Sequence, residues 1–445
     1  MKLYDLKSIE IIKNNIKNIE DDGKKAKAIK LKPNIDEYNN VIKIILEFIK
    51  KEKRIIYGGK CWEALLKNKK PELKFYNKYD MADYEFYSPE PIKDIIELCD
   101  ILYDKGYKYI NGVDAQHDET YTLQVNYILY CDISYMPKYI FNKIPVLNIN
   151  NLLYPTFNFI LIDILRIFND PITSYWRLEK NGKRALELFK YLDIQLNDKL
   201  FKIDNDKNIL DYIRKEIIIN SKLLVIGYYA YNYYKYITLD EKKELYTPYY
   251  DVITNNYNDD KNEIFNKLKK QFPNIEKKEY YPFYQFTDKK TSIIYNNKVI
   301  FNIYGNNNKC IPYKHLENKN IKIASFNVVL MYLLINSLYY KIYKNSENQN
   351  IDYMIKNLII YKKQYLDKNN KTVLDNTVFQ DFFTQCIGDT YDTYTRHFER
   401  LDNRNDKYIK RNRMRYQPDK PRNKEVFLNF NFANTSGNEM KIKSE

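Results

Sequence analysis

The stretch Arg54-Ile-Ile-Tyr-Gly-Gly-Lys-Cys-Trp-Glu63 carries the pattern that decides the fold. Residues 54–57 are mostly apolar and predict a short buried strand, which Gly58-Gly59-Lys60 ends before a helical pattern begins at Cys61. A glycine turn between a strand and a helix N-terminus lets backbone N–H groups approach phosphate. The charge of Lys60 opposes the helix dipole at this end, and a nucleoside triphosphate would remove that conflict. Gly58, Gly59 and Lys60 are therefore predicted to bind phosphate.

The next strand pattern, Met81-Ala-Asp-Tyr-Glu-Phe-Tyr87, places two carboxylates on one face. Asp83 and Glu85 are two residues apart, and side chains at that spacing point the same way from a strand. Neighbouring carboxylates repel each other unless a positive charge lies between them, and Mg²⁺ prefers oxygen ligands. The pair is therefore a candidate metal site.

A third carboxylate, Asp132, interrupts an apolar strand pattern that extends over 122–135. A charge in such a strand is costly unless it is paired or bound to metal. If this strand lies beside that of Asp83 and Glu85, the three carboxylates converge and could hold two metal ions about 3.5–4 Å apart. Asp118, in a polar turn before the strand, is the substitute candidate for Asp132.

Each of these features, taken alone, can be explained without any catalytic function. Two acidic residues on a strand usually face solvent, a lone buried Asp can be hydrogen-bonded, and a glycine pair is a weak signal. Their order along the chain, with glycines first, the acidic pair next and the lone Asp last, is much more specific for nucleotidyl transfer than any one of them.

The second half of the chain repeats the first in pattern. Three stretches recur in the same order and at nearly equal spacing: Leu224-Val-Ile-Gly227 resembles Ile55-Ile-Tyr-Gly58, Tyr250-Asp-Val-Ile-Thr254 resembles Tyr84-Glu-Phe-Tyr-Ser88, and Ile300-Phe-Asn-Ile303 resembles Tyr130-Cys-Asp-Ile133. We interpret this as duplication of one α/β unit. In that register Asp83, Glu85 and Asp132 correspond to Tyr249, Asp251 and Asn302, so the second copy is predicted to have lost its chemistry.

Composition agrees with a globular protein that has an acidic partner. The 445 residues are 44% hydrophobic and 29% charged, and 73 Lys and Arg against 58 Asp and Glu give a net charge of +15. Part of the excess reflects Lys codons in an AT-rich genome, which also explains the 46 tyrosines. Five scattered cysteines predict no disulfide framework, and the nearly charge-free stretch 323–340 predicts a buried core helix and no membrane span.

The motifs resemble a known group of enzymes. Gly58-Gly59, Asp83-x-Glu85 and Asp132 match the pattern of the DNA polymerase beta-like nucleotidyltransferase superfamily. Tyr57–Glu63, Ala82–Tyr87 and Asn169–Arg184 look like the poly(A) polymerase catalytic subunits of amoeba-infecting giant viruses of the mimivirus and megavirus type, with the poxvirus enzyme more distant. Lys60 departs from the superfamily, which usually has Ser there.

That resemblance implies the fold and the reaction. The fold would be α/β (α+β), a nucleotidyltransferase fold with a mixed sheet flanked by helices, followed by a degenerate nucleotidyltransferase-like domain. The enzyme would polyadenylate mRNA, with an RNA 3′-OH attacking the α-phosphate of ATP by a two-metal mechanism with Mg²⁺ or Mn²⁺. Asp83, Glu85 and Asp132 would hold the metal ions. Residues matching the family's basic positions would contact triphosphate or RNA: Arg177, Lys180 and Arg184.

Four segments are expected. They are N-terminal helices over 1–53, the catalytic domain over 54–205, the degenerate domain over 206–402 and a basic C-terminal tail over 403–445. The tail would bind RNA through Lys410, Arg411, Arg413 and Arg415. The resemblance also implies location in the host cytoplasm at the virus factory, with packaging in the virion left open, as is a homodimer or a processivity partner.

Several alternatives remain open at the level of sequence. Another RNA-tailing enzyme, for example one that adds U, or a small-molecule nucleotidyltransferase would carry the same carboxylates. A metal-dependent glycosyltransferase also uses an acidic pair, but it needs neither the upstream glycine turn nor the third carboxylate. A non-catalytic RNA-binding subunit would not need intact carboxylates.

Overall fold

The computed structural model describes residues 3–30, 32–76, 80–115, 119–196, 205–240, 247–306, 309–316, 320–343, 350–382, 385–388, 414–420 and 443–444. The chain divides into two compact units. The first contains 1–135, 146–154 and 413–430, and the second contains 136–145, 155–412 and 431–445.

The first unit is a mixed sheet with helices. Its helices are α1 (Leu6–Lys30), α2 (Lys32–Lys51), α3 (Gly58–Lys69) and α4 (Pro91–Asp104). Its strands are β1 (Ile55–Tyr57), β2 (Tyr84–Ser88), β3 (Asn111–Asp114), β4 (Thr120–Val125), β5 (Ile128–Tyr135), β6 (Val146–Ile149), β7 (Leu152–Pro155) and β16 (Arg415–Tyr416). Their order across the sheet is β16-β3-β4-β5-β2-β1-β7-β6.

The second unit is also a mixed sheet with helices. Its helices are α5 (Lys138–Phe141), α6 (Phe157–Asn169), α7 (Pro171–Arg177), α8 (Lys183–Tyr191), α9 (Lys207–Ile213), α10 (Gly227–Leu239), α11 (Tyr257–Gln271), α12 (Phe326–Tyr343) and α13 (Ile351–Lys368), with π turns at Leu178–Gly182 and Arg214–Ile218. Its strands are β8 (Leu224–Ile226), β9 (Tyr250–Thr254), β10 (Ile275–Tyr280), β11 (Lys290–Tyr295), β12 (Lys298–Gly305), β13 (Ile311–Leu316), β14 (Ile321–Ala324), β15 (Cys386–Ile387) and β17 (Lys443–Ser444). Their order is β15-β13-β14-β8-β9-β12-β11-β10-β17.

The two sheets share one topology, which confirms the predicted duplication and fold class. The order β7-β1-β2-β5-β4-β3 in the first sheet matches β14-β8-β9-β12-β11-β10 in the second. Every corresponding pair of strands runs in the same relative direction: β1 is parallel to β7 and antiparallel to β2, β2 is parallel to β5, and the two remaining pairs are antiparallel, with the same directions in the second sheet.

The duplication extends to register. Glu85 pairs with Asp132 across β2 and β5, and Asp251 pairs with Asn302 across β9 and β12. The hairpin β4–β5 has a register shift after Leu123, and β11–β12 has one after Ile293, at the corresponding place. Because the irregularity occurs at the same position in both copies, it is a structural feature of the duplicated unit.

Local structure departs from the sequence prediction at two positions near the site. The helix expected to begin at Cys61 begins at Gly58, because Gly58 takes a φ of +66° that turns the chain directly from strand into helix. The expected single strand over 122–135 is two strands. A two-residue turn, Asn126-Tyr127, separates β4 from β5, and both residues have positive φ.

The predicted segment boundaries also differ from the division of the structure. Residues beyond 155, including α6, belong to the second unit, so its start is about fifty residues before the expected boundary at 205. The physical reason is packing, since α6 lies against α12 and the Asn169 amide donates to the Met331 sulfur at 3.7 Å. The tail is not separate either, because β16 completes the first sheet: Tyr416 is 1% exposed and pairs with Gly112.

The charge-free stretch near residue 330 forms a core helix, as predicted. Helix α12 buries most of its side chains, including the two at its centre, Leu333 and Leu334. None of the helices in the described ranges is long and apolar enough to cross a membrane.

Two of the five cysteines form a disulfide, which the sequence analysis did not predict. Cys310 and Cys386 are 76 residues apart in sequence and bonded to each other. They meet because β15 pairs with β13, where Pro312 lies opposite Cys386. The three other cysteines, Cys61, Cys99 and Cys131, are free and buried.

Candidate active site

The glycine turn brings the start of α3 against a carboxylate. Gly58 ends β1 with a left-handed φ, and the Gly59 N–H donates to Oε2 of Glu85 at 3.2 Å. A Cβ on Gly58 would lie 1.6 Å from that same oxygen, so another residue would displace the Glu85 carboxylate and strain the left-handed backbone. The free N–H groups of a helix N-terminus favour anions, which is why a carboxylate is stable here.

The carboxylates of Glu85 and Asp132 are side by side. These residues are direct partners in the parallel pair β2–β5, so their side chains leave the same face of the sheet. Thr122, opposite Asp132 in the hairpin, donates its hydroxyl to Asp132 Oδ1 at 2.6 Å and fixes its orientation. The sequence prediction that the two strands are neighbours is therefore confirmed.

Asp83 lies one residue before β2, two residues from Glu85. Its charge acts on the same buried thiol as that of Asp132. Burial raises the pKa of Cys131 well above its usual value, and the nearby carboxylates of Asp132 and Asp83 add to that rise. Asp83 and Asp132 therefore both lie within electrostatic reach of the Cys131 thiol. The Tyr38 hydroxyl of α2 holds the chain here through a hydrogen bond to the carbonyl of Ala82.

Lys60 has partners other than a phosphate in this structure. Its ammonium lies 3.8 Å from Glu63 Oε2 and 4.3 Å from the centre of the Tyr76 ring. The Tyr84 ring is 5.5 Å away. Burial lowers the pKa of Lys60, while Glu63 opposes that shift. The conflict between Lys60 and the helix dipole is therefore already relieved by Glu63, and phosphate binding by Lys60 stays a prediction.

The donor set suits a hard divalent cation. Carboxylate oxygens from neighbouring strands are the ligands that Mg²⁺ and Mn²⁺ prefer. As the side chains stand, the described part of the chain holds no group of three His, Cys, Asp or Glu residues arranged around a metal position. The fit therefore rests on the register of Glu85 and Asp132 and on donor chemistry.

Comparison with known proteins decides the family. A family model described as "Poly(A) polymerase catalytic subunit" matches residues 43–174. A second, "APMV, Putative poly(A) polymerase, catalytic subunit, C-terminal", matches residues 186–444, more than half of the chain. The chain belongs to the poly(A) polymerase catalytic subunit family. The sequence-based prediction of a polynucleotide adenylyltransferase of giant-virus type is thereby confirmed.

Individual relatives agree with this membership. The "Putative poly(A) polymerase catalytic subunit" of Acanthamoeba polyphaga mimivirus is 35% identical over 428 residues, covering 87% of this chain and 73% of the relative. A protein of the same description from African swine fever virus (strain Badajoz 1971 Vero-adapted) is 37% identical over 125 residues, covering 28% of this chain and 26% of the relative. The crystal structure of the Megavirus polyadenylate synthase superposes with a TM-score of 0.90 at 30% identity, covering 99% of this chain and 93% of that one.

The basic residues predicted to contact substrate lie on several different elements of the poly(A) polymerase. Arg177 ends α7 and is half-buried, Lys180 is exposed in the π turn, and Arg184 lies in α8. The π turn lies between Arg177 and Arg184, so the three residues do not follow the regular spacing of one α-helix face. Arg415 is exposed on β16, whereas Lys410, Arg411, Arg413 and the substitute ligand Asp118 lie outside the described residues. Their roles stay predictions.

Two positioning residues were missed by the sequence analysis, Thr122 and Tyr38. Thr122 could have been found had the turn at Asn126-Tyr127 been recognised, since a two-residue hairpin fixes which residue faces Asp132. Tyr38 lies 44 residues before its partner Ala82 and carries no local signal of that contact.

The second sheet of the poly(A) polymerase preserves the site's geometry without its chemistry. Gly227 has a φ of +62°, and a Cβ there would lie 1.9 Å from Oδ2 of Asp251. The Asn302 amide donates to Asp251 Oδ1 at 2.7 Å, and the Ser292 hydroxyl contacts Asn302 Oδ1 at 2.6 Å. Asp251 and Asn302 are each 3% exposed, and the turn residue after Gly227 is the buried Tyr228. One carboxylate in a closed site cannot hold two metal ions.

Asp251 should make the stability of the second unit depend on pH. Burial raises its pKa to about 6, despite the opposing effects of Asn302 and Lys290. The folded state therefore keeps a proton that the unfolded state loses between pH 4 and 6, so stability falls as pH rises through that window. For Asp251→Asn we expect this fall to be absent, so that the variant gains about 3 kcal/mol on the wild type between pH 4 and 7.

Urea denaturation of both proteins across that pH range measures the difference. Curves that run parallel would show that Asp251 titrates alike in the folded and unfolded chain.

Proposed function

We propose that this poly(A) polymerase transfers AMP from ATP to the 3′-OH of RNA at the β1–α3 turn, with Asp83, Glu85 and Asp132 as its catalytic carboxylates. The observation that carries the proposal is the convergence of two elements. The register pair Glu85 and Asp132 lies next to the N-terminus of α3, where the Gly59 N–H already contacts a carboxylate oxygen. The attacking hydroxyl needs the carboxylates and the phosphates need the helix N-terminus, so the reaction requires the two features to lie next to each other.

The residues of the turn would position the triphosphate. Phosphate oxygens would accept hydrogen bonds from the N–H groups at the start of α3, among them the Gly59 N–H that donates to Glu85 in this structure. The lack of a Cβ on Gly58 leaves room for the Glu85 carboxylate against the turn. Lys60 would add a positive charge if its ammonium left Glu63 for the phosphate.

The carboxylates would orient the reacting groups. In the reaction the 3′ oxygen bonds to the α-phosphorus, the bond to the bridging oxygen breaks and pyrophosphate leaves. Two Mg²⁺ or Mn²⁺ ions held by Asp83, Glu85 and Asp132 would supply activation of the attacking oxygen and stabilise charge on the leaving group. Thr122 would hold the Asp132 carboxylate in a fixed orientation, because its hydroxyl donates a hydrogen bond to Oδ1.

The acceptor and the base are distinguished by one experiment. The purified protein is incubated with a short RNA primer, Mg²⁺ or Mn²⁺, and each nucleoside triphosphate separately. Long tails with ATP alone support the proposal, tails with UTP identify a uridylyltransferase, and reaction with small hydroxyl compounds but not RNA identifies a small-molecule enzyme. The net charge of +15 favours RNA.

The family resemblance also supports a place of action. We propose that the protein works in the host cytoplasm at the virus factory, where viral mRNA would be its acceptor. Fractionation of infected cells with an antibody to the chain would test this, and a nuclear signal would contradict it.

A further inference from the structure

Two tyrosines of the first unit form an exposed aromatic pair. Tyr127 is 79% exposed and Tyr109 is 62% exposed. Their rings stack on each other with centres 5.5 Å apart and an angle of 25° between the ring planes. Large apolar surface facing water at a hairpin tip costs free energy, so such a pair needs an explanation beyond packing.

The backbone beneath both rings is in the left-handed region. Tyr127 has a φ of +65° and Tyr109 a φ of +49°. A bulky residue is unfavourable there, and a two-residue turn of this kind prefers Asn or Gly. The duplicated unit offers the comparison: the matching turn in the second sheet is Asn296-Asn297, so Asn297 takes the place of Tyr127.

The residue type differs in the same way at the position of the other ring. In the register of β3 with β4 and of β10 with β11, Asn111 corresponds to Glu276, so Tyr109 corresponds to Asn274. Both exposed tyrosines of the catalytic copy are therefore asparagines in the copy without chemistry. Strain of this kind persists at functional positions.

Charged side chains of both signs surround the pair, since Asn126 beside Tyr127 donates to Glu37 Oε1 at 2.6 Å and Asp104 and Asp419 are exposed next to lysines. Lys105 and Lys108, just before Tyr109, are exposed. The turn after β16 also lies here, since the Gln417 amide donates to Asn111 Oδ1 at 2.6 Å, and that turn ends at the exposed Lys420. Exposed aromatic rings among lysines are typical of surfaces that bind single-stranded nucleic acid.

We propose that Tyr109 and Tyr127 form a stacking site for a base of single-stranded RNA, with Lys105, Lys108 and Lys420 contacting its phosphates. Tyr127 offers its outer face to the base and Tyr109 supports it from behind. The inference rests on the proposed function, because it assigns the pair to the RNA that the enzyme extends. Tyr127 directly precedes β5, five residues before Asp132, which is about 17 Å along a strand at ~3.3 Å per residue. The site would therefore hold RNA some nucleotides away from the 3′ end.

The test replaces each tyrosine by its counterpart in the second copy. Tyr127→Asn and Tyr109→Asn should fold, because Asn tolerates the left-handed backbone better than Tyr. We expect Tyr127→Asn to weaken binding of an unstructured fluorescent RNA oligonucleotide about tenfold, measured by anisotropy. Tyr127→Phe should bind like the wild type, since the ring that stacks is retained. Tyr236→Asn, at an exposed tyrosine of α10, is the matched control and should not change the affinity.

Two results would overturn the inference. One is unchanged RNA affinity in the Tyr109→Asn/Tyr127→Asn double variant, which would show that the pair does not bind RNA. The other is equal loss in Phe and Asn variants, which would exclude stacking. Failure of the proposed function is a separate result, because it would appear as absence of ATP-dependent tailing by the wild type in a parallel assay, whatever the binding data show.

Discussion

Replacing any of the three carboxylates should abolish tailing. For Asp83→Asn, Glu85→Gln and Asp132→Asn we expect the tailing rate to fall by at least on the order of 10³, as for removal of an essential charged group. The variants keep side-chain size, and Asp132→Asn still accepts the Thr122 hydroxyl, so the fold should remain. Tailing of a labelled RNA primer with ATP measures the rate, and circular dichroism checks the fold.

The second sheet supplies matched controls for this prediction. Asp251 occupies the position of Glu85 against a left-handed glycine, and Asn302 occupies that of Asp132. Asp251→Asn and Asn302→Ala should leave tailing unchanged, because a single buried carboxylate offers no two-metal site. Loss of tailing in the Asp251 variant would mean that the active site lies in the second half of the chain and that the proposed assignment is wrong.

A positioning residue gives a graded test of the same site. Thr122→Val removes the hydroxyl that orients Asp132 and should lower kcat about 10–100-fold, the usual cost of losing a partner of a metal-binding side chain. Its counterpart Ser292→Ala should have no effect on tailing, since Ser292 contacts Asn302 in the copy without chemistry. Near-normal tailing by Asp132→Asn would show that Asp132 is not the third carboxylate, and Asp118 would then be the next candidate.

Breaking the buried ion pair of the first unit should cause the largest loss in the free energy of unfolding. Arg54, directly before β1, donates from Nε and Nη2 to both carboxylate oxygens of Asp94 in α4, at 2.6 and 2.7 Å. Their side chains are 9% and 2% exposed. Burial raises the pKa of Asp94, and the guanidinium opposes that rise. Asp94→Ala would leave the buried guanidinium with only the more exposed Glu52, 4.0 Å away, so we expect a loss of about 3–5 kcal/mol.

That loss is a large share of the stability of a domain, which is about 5–15 kcal/mol. Urea denaturation followed by fluorescence of Trp62 in α3 reports on this unit if the other tryptophan is replaced in a Trp176→Phe background. The double variant Arg54→Met/Asp94→Leu should recover part of the loss, because it removes both charges together. An Asp94→Ala variant as stable as the wild type would contradict the stabilising role assigned to the Arg54–Asp94 pair.

An exposed ion pair gives the control for burial. Glu179 and Lys183 lie 3.1 Å apart with side chains 84% and 74% exposed. Glu179→Ala should change stability by less than about 1 kcal/mol, because solvent screens the pair. A similar loss from both substitutions would mean that Arg54 and Asp94 contribute no more than surface charges do.

The parts of this protein that the sequence determined are those set by neighbours along the chain. The strand over 55–57 and the turn at Gly58 follow from a short apolar run and from glycine's tolerance of positive φ. The placement of Asp83 and Glu85 on one face follows from strand period. The duplication was visible because the same local patterns recur in order, and the two sheets confirm it.

Only the tertiary structure decided which distant segments pair. The turn at Asn126-Tyr127 carries an unfavourable residue and hence no turn signal, yet it sets the partner of Asp132. Strand β16 joins a sheet some 300 residues earlier in the chain, and Cys310 meets Cys386 through β13 and β15. Helix α6 belongs to the second unit because its apolar face packs on α12. Such contacts depend on the free energy of whole packed surfaces, and no short window of sequence contains that quantity.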